Sequence, residues 1–235
     1  GDEGLAETKG DEGLAETKGD EGLAESNGGS GLAGAMQKSS TLRGFQTNAA
    51  LPFHTDGCDM FALMCVAQGR SGGVTSIASA AEAFNSIARS RPDLAATLQR
   101  PFYFDARGQH PDGLRCQVHP IFTLHAGRMM MIHKQPYIVS AQRFDDVPAL
   151  TAEQQEALDV LEKTLEEPQR ALSITLQPGE VVLCSNHALV HGRTAFEDDG
   201  RAAADGRVRH MLRLWLTNPK GRPLPPHYAH TREYY

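Results

Sequence analysis

The sequence is poor in the features that mark several large protein classes. Its 235 residues include only four cysteines, Cys58, Cys65, Cys116 and Cys184, and no C-x-x-C pair. That is too few, too widely spaced, for a disulfide framework, so reduced thiols packed in a core are expected. No apolar run in the chain approaches the roughly 20 residues needed to span a bilayer. The acidic N-terminus also lacks the apolar stretch of a secretory signal. A cytoplasmic protein with no membrane partner is the expectation. A basic excess is missing too: 23 Lys and Arg stand against 29 Asp and Glu. A nucleic-acid binder would need a basic face, so that class is set aside.

The net charge of −6 is unevenly placed. Residues 1–27 carry nine acidic residues and two lysines, a balance of −7, which leaves +1 for residues 28–235. The same 27 residues form a nine-residue repeat, GDEGLAETK, GDEGLAETK, GDEGLAESN. One leucine per repeat cannot bury enough surface to offset the entropy of ordering the backbone. With the glycine-rich stretch GGSGLAG that follows, residues 1–39 are expected to be disordered. The folding unit is expected over residues 40–235, at nearly neutral charge.

Within that unit the patterning alternates between helix and short strand. Leu63–Val66 and Val74–Ile77 are strand candidates separated by the Ser71-Gly72-Gly73 turn. Ser79 to Glu82 fits a capping box before a helix with Ala83, Phe84, Ile87 and Ala88 on one face, and Pro92 suits the first turn of another. Residues 119–132 resemble a hairpin turning at Ala126-Gly127-Arg128. Thr151 to Gln154 is a second capping box, opening a helix with Leu158, Leu161 and Leu165 on one face and an end near Pro168. Short strands then follow at Ser173–Leu176, Val181–Ser185 and Arg209–Leu216. Helices clustered mid-chain among many short strands predict an α+β domain with an antiparallel core.

The chemistry is concentrated in three segments. In Pro52-Phe53-His54-Thr55-Asp56, His and Asp two apart on a strand would share a face and could converge on one ion. By itself H-x-D is a common pattern. His191, in CSNHALVHGR, is the candidate third ligand. Two imidazoles and a carboxylate make the facial triad of non-haem Fe(II) oxygenases, with three positions left open. In the last strand, His210, Leu212, Leu214 and Leu216 alternate with Arg209, Met211, Arg213 and Trp215. The leucine face is expected to pack into a core. The arginines on the other face can fork onto a carboxylate, or belong to an ordinary exposed strand.

Taken in order, FHTDGCDMFALMC, SGGVTS, PGEVVLCSNHALVHGRTAFED and RHMLRLWL resemble the taurine dioxygenase (TauD/TfdA) superfamily of Fe(II)- and 2-oxoglutarate-dependent dioxygenases, which includes γ-butyrobetaine hydroxylase-like members. The resemblance runs from about residue 43 to 228. It implies a double-stranded β-helix, or jelly roll, with helices packed on one side. By position it implies His54, Asp56 and His191 as iron ligands. It implies Thr75 and Arg209 for the distal carboxylate of 2-oxoglutarate, with Arg213 lining the same pocket. Fe(II), 2-oxoglutarate and O2 would then hydroxylate a small polar or anionic molecule, releasing succinate and CO2. Asn48, Arg193 and Trp215 are candidates for the substrate wall, though their types specify no ligand.

The remaining histidines carry no ligand spacing. His187 and His210 are expected to be structural or to support a ligand, as is Asn186. His110, His119, His125, His133, His227 and His230 are expected in loops or at the surface. The tail from Pro219 is expected to wrap over the domain. Only 14 residues, Ser40 to Phe53, precede His54 in the globular part, so the family's N-terminal portion is expected to be truncated, with self-association following from an unpaired sheet edge. Two other functions stay open on the residues alone: a catalytically silent metal-binding or oligomerising module, and a cupin-like metalloprotein without co-substrate.

Overall fold

Period-2 alternation and turn glycines produce thirteen strands among the described residues, and every pairing between them is antiparallel. The computed structural model describes residues 47–108, 110, 113–198, 208–218 and 220–228. The expected disorder of residues 1–39, the start of the folding unit at 40, His230 and Pro219 lie outside the described residues.

A four-stranded sheet is built from β1 (Leu51–His54), β4 (Thr75–Ser79), β9 (Ala171–Ile174) and β11 (Leu189–Arg193), in the order β1-β11-β4-β9. A three-stranded sheet has β2 (Met60–Ala67) between β10 (Val181–Ser185) and β13 (His210–Leu216). β3 (Ser71–Gly72) pairs with β12 (Phe196–Glu197), β5 (Pro101–Asp105) with β6 (Cys116–Pro120), and β7 (Phe122–His125) with β8 (Arg128–Met131). The last pair turns at Ala126 and Gly127, both at positive φ, the backbone that a two-residue hairpin turn requires.

Among the described residues there are four helices: α1 (Ala80–Ser90), α2 (Pro92–Thr97), α3 (Gln135–Ala141) and α4 (Ala152–Glu166). Ser79 caps α1 by accepting from Glu82 N at 3.3 Å. At α4 the capping box is complete: Gln154 N donates to Thr151 Oγ1 at 3.1 Å and Thr151 N to Gln154 Oε1 at 3.0 Å. Such a cap contributes about 1 kcal/mol. Leu158, Leu161 and Leu165 of α4 are buried together with Ile87, Leu94, Leu98 and Phe122.

Alternation assigns the four-stranded sheet two inner faces. Phe53, Ala78 and Val190 join the helical core. Ile77 and Leu189, one residue out of phase, pack with Phe61, Cys58, Cys184 and Trp215 against the other sheet. His191 lies opposite Ile77 in register and its ring meets Phe61 at 4.0 Å between centroids. The interval between the two sheets therefore receives His191. All four cysteines are free thiols.

Three expectations are corrected. The leucine side of β13 does not enter a core: Leu212 and Leu214 are 48% and 47% exposed, while Arg213 and Trp215 turn inward. Alternation separates two faces but cannot say which one the molecule covers. His110, His119 and His133 are buried, not superficial, because imidazole packs readily once one nitrogen finds a partner. His119 lies flat on Phe104 at 4.1 Å, and His133 Nε2 meets Glu162 Oε1 of α4 at 2.5 Å. The strand predicted at Ser173–Leu176 ends earlier, at Ile174. At the other end of the chain Tyr228 is fully buried, its ring 5.1 Å from that of His187.

Candidate functional site

His54 ends β1 and His191 lies in β11, directly opposite in the antiparallel register. Their rings stand 4.3 Å apart. The close approach has a local cause at Gly192, where a Cβ would come to 3.0 Å from Leu51 O and 3.4 Å from Phe53 N. Asp56 lies just past the end of β1, so strand alternation is not what aims it. A loop does that, held from two sides.

On one side Thr55 N donates to His133 O at 2.8 Å, and His133 N donates back to Thr55 Oγ1 at 3.0 Å. On the other, the fully buried Asn186 accepts from Asp56 N at 2.8 Å, while its amide nitrogen donates to the carbonyls of Asp56 and Cys58. Asn186 N in turn donates to Asp59 O at 2.9 Å. The carboxylate itself accepts from Trp215 Nε1 at 2.9 Å and from Arg213 Nη1 at 3.3 and 3.4 Å. Arg213 and Trp215 thus lie directly on Asp56.

His54 Nε2 and His191 Nε2 each stand 3.8 Å from an Asp56 oxygen. One donor atom from each of the three residues lies within 4.8 Å of the other two. His54 Nδ1 donates to Pro52 O at 2.8 Å, which leaves the Nε2 lone pair facing the carboxylate. Burial, reinforced by His191, pulls the His54 pKa down to about 3. Burial likewise pulls His191 down to about 4. Burial opposes ionisation of Asp56, but Arg213 and the two imidazoles outweigh it and hold the carboxyl below its ordinary value. Near neutral pH the cluster is therefore two uncharged imidazoles and one carboxylate, the protonation states a divalent cation needs. The donor set suits Fe(II).

A second polar group lies toward β12. Thr75 is buried at the start of β4, opposite Arg193 of β11. The Arg193 and Arg209 guanidiniums lie 4.7 and 5.0 Å from the centre of the Phe196 ring. Burial lowers the pKa of both arginines, and Arg209 lowers that of Arg193 further, so two cations share one partly dry neighbourhood. Gly73 shapes it: at φ +69 its missing Cβ would stand 2.6 Å from Arg209 Nε. Arg209 Nη2 donates to Gly73 O at 3.4 Å. Asn48 offers its backbone carbonyl to Phe196 N at 3.0 Å.

The structure accordingly gathers His54, Asp56 and His191 with Arg213 and Trp215, and groups Arg193 and Arg209 around Phe196, with Thr75 opposite Arg193. His187 packs beside Asp59, Nε2 to Oδ1 3.7 Å. His210 is exposed. The Thr55–His133 exchange, and the backbone atoms of Asp56 and Cys58 through which Asn186 acts, are the main features that residue patterns did not reveal.

Comparison with known proteins supplies the family and the fold. Residues 11–215 match the model of the family described as taurine catabolism dioxygenase TauD, TfdA family. The chain belongs to the TauD/TfdA family. It is 33% identical over 192 residues to FR-33289 synthase of Streptomyces rubellomurinus (strain ATCC 31215), covering 80% of this chain and 55% of that protein. It is 28% identical over 190 residues to a uridine-5'-phosphate dioxygenase of a Streptomyces species, covering 76% and 66%. Among solved structures it shares the fold of asparagine oxygenase in complex with Fe(II), 3-hydroxyasparagine and succinate, with a TM-score of 0.58 at 19% identity over 76% of this chain and 53% of that one. The non-haem iron oxygenase OrfP, in complex with Fe, is also similar, at a TM-score of 0.51, 20% identity, and 74% and 52% coverage. The chain thus spans about half the length of several of the proteins it matches.

Proposed function

We propose that the chain is a 2-oxoglutarate-dependent non-haem iron dioxygenase that hydroxylates a small polar or anionic molecule. The observation that carries this is the convergence of His54, Asp56 and His191, from β1, its trailing loop and β11, on one point between the two sheets. We read those sheets as the double-stranded β-helix of the family, and residues 40–235 as its catalytic domain.

His54 Nε2, His191 Nε2 and Asp56 would hold the metal. When bound, Fe(II) supplies the redox chemistry by which O2 and 2-oxoglutarate hydroxylate a C–H bond, giving succinate and CO2. The protein's own work is orientation. Trp215 and Arg213 fix the rotamer of Asp56, and Asn186 fixes the loop beneath it. Arg209, with Thr75, receives the far carboxylate of 2-oxoglutarate; a guanidinium made less comfortable by burial gains more from a carboxylate partner than one in water. Arg213, which lies on Asp56, would line the same co-substrate pocket. Asn48, Arg193 and Trp215 complete the substrate wall.

Relatives named for uridine-5'-phosphate and for asparagine support a small polar or anionic substrate. Four free cysteines suit a reducing cytoplasm. The apolar outer face of the three-stranded sheet, with Val181 and Leu183 57% and 54% exposed beside Leu212 and Leu214, supports self-association.

The test of the co-substrate assignment is Arg209→Ala. Succinate release under saturating Fe(II) should then need a far higher 2-oxoglutarate concentration. An unchanged requirement would remove Arg209 from the co-substrate site, and no 2-oxoglutarate-dependent succinate from wild type would favour a metalloprotein that does not use 2-oxoglutarate.

A further inference from the structure

One aromatic ring stands beside both arginines of the second polar group. Phe196 is half-buried in β12. Its backbone is fixed from two sides: Phe196 N donates to Asn48 O at 3.0 Å, and Phe196 lies opposite Gly72 in the β3–β12 register. The neighbouring residues are held as firmly. Gly73 N donates to Ala195 O at 3.0 Å and Arg70 N to Glu197 O at 2.7 Å, while the Arg70 guanidinium pairs with the Glu197 carboxylate. The ring is therefore carried on a well-anchored ribbon.

Arg209 needs such an anchor. Its backbone is fixed, with Arg209 N donating to Asp198 Oδ1 at 2.9 Å. Its guanidinium is far less restrained. Nη2 reaches Gly73 O only at 3.4 Å, long for a hydrogen bond. Nε is buried with no hydrogen-bond partner among the described residues. A long side chain held by one weak bond keeps much of its rotamer freedom, and a carboxylate that binds it must quench that freedom. The Phe196 ring, 5.0 Å from the guanidinium carbon, is the other restraint. Arg193 steadies the ring in turn: its guanidinium carbon lies 4.7 Å from the ring centre, and its Nη2 donates to Ala49 O at 2.5 Å. A planar guanidinium stacks on an aromatic face in defined orientations, so the position of the ring sets the plane of Arg209.

The geometry points to Phe196 as a positioning residue for Arg209, fixing the guanidinium before the co-substrate carboxylate reaches it. The order of contact is Ala49, Arg193, Phe196, Arg209. This rests on the dioxygenase reading and adds to it the residue that prepares the co-substrate arginine. Because Phe196 acts through Arg209, its loss is felt in 2-oxoglutarate affinity and not at the metal ligands.

The experiment titrates 2-oxoglutarate calorimetrically into the full chain loaded with Co(II) in place of Fe(II). Phe196→Leu keeps most of the bulk and removes the aromatic face; it should weaken 2-oxoglutarate by about 3- to 30-fold, the range of a partly desolvated cation–π contact. Phe196→Met, a second non-aromatic variant, should behave alike, and Phe196→Tyr should keep most of the wild-type affinity. Co(II) affinity should match wild type in all three. In an Arg209→Met background Phe196→Leu should add almost nothing, because two residues acting through one contact are not additive. Wild-type 2-oxoglutarate affinity in Phe196→Leu, a loss in Phe196→Tyr as large as in Phe196→Leu, or a matching loss of Co(II) affinity would overturn the assignment. So would an equal effect of Phe196→Leu with and without Arg209. Each of these leaves the dioxygenase reading standing, whereas a wild-type protein that binds no 2-oxoglutarate would overturn both.

Discussion

Asn186 is where fold stability and the metal centre meet, and its replacement has a calculable cost. Its side chain is fully buried and makes three hydrogen bonds, accepting from Asp56 N and donating to the carbonyls of Asp56 and Cys58. Asn186→Ala removes all three and leaves one amide and two carbonyls without those partners. Each orphaned buried group costs about 1–3 kcal/mol, and the loop can relax to recover some of it. A net loss of about 3–5 kcal/mol is expected, a large share of a typical domain's roughly 5–15 kcal/mol. The same loop carries Asp56, so its loosening should weaken metal binding by about 10- to 100-fold, the usual effect of losing a group that orients a ligand. Urea denaturation of the metal-free protein gives the first quantity and anaerobic Fe(II) titration the second. Wild-type stability together with wild-type metal affinity in Asn186→Ala would refute the clamp.

Further predictions concern the second pocket, acid stability and the sheet surface. Gly73→Ala should displace Arg209, because the new Cβ would stand 2.6 Å from its Nε at a positive-φ position; 2-oxoglutarate binding should weaken in calorimetry while Fe(II) binding persists. Burial pulls His119 down to about 4, so the unfolded chain binds its proton first as pH falls through about 6.5. Its contribution is full above that pH and is lost progressively toward pH 4, roughly 3 kcal/mol in all; His119→Asn should flatten the melting-temperature profile across that window. Leu212→Lys with Leu214→Lys should shift the mass measured by light scattering toward the monomer with little change in stability, and an unchanged mass would remove that face as an association surface.

The parts of the site that could be read from residues are those whose chemistry is carried by a distinctive side chain in a distinctive order. His54, Asp56, His191, the glycine pair before Thr75, Arg209 just ahead of β13 and Arg213 within it all belong to that group. What escaped acts through backbone atoms far away in the chain. Asn186 reaches Asp56 across 130 residues and His133 reaches Thr55 across 78, and neither contact leaves a local pattern. Asp56 shows the difference clearly: its identity is legible in H-x-D, but its direction comes from those contacts and not from strand alternation. The last strand teaches a related lesson. Its two faces are plain in the sequence, yet the arginine and tryptophan face is inside because a polar site lies there.

The central claim is that His54, Asp56 and His191 hold an iron that turns over 2-oxoglutarate. The most direct measurement is Fe(II)-dependent succinate formation by the full chain, compared with His54→Ala under the same conditions. Succinate should form with wild type only when both Fe(II) and 2-oxoglutarate are supplied, and should fall to background in His54→Ala. Succinate formation undiminished by that substitution would contradict the account.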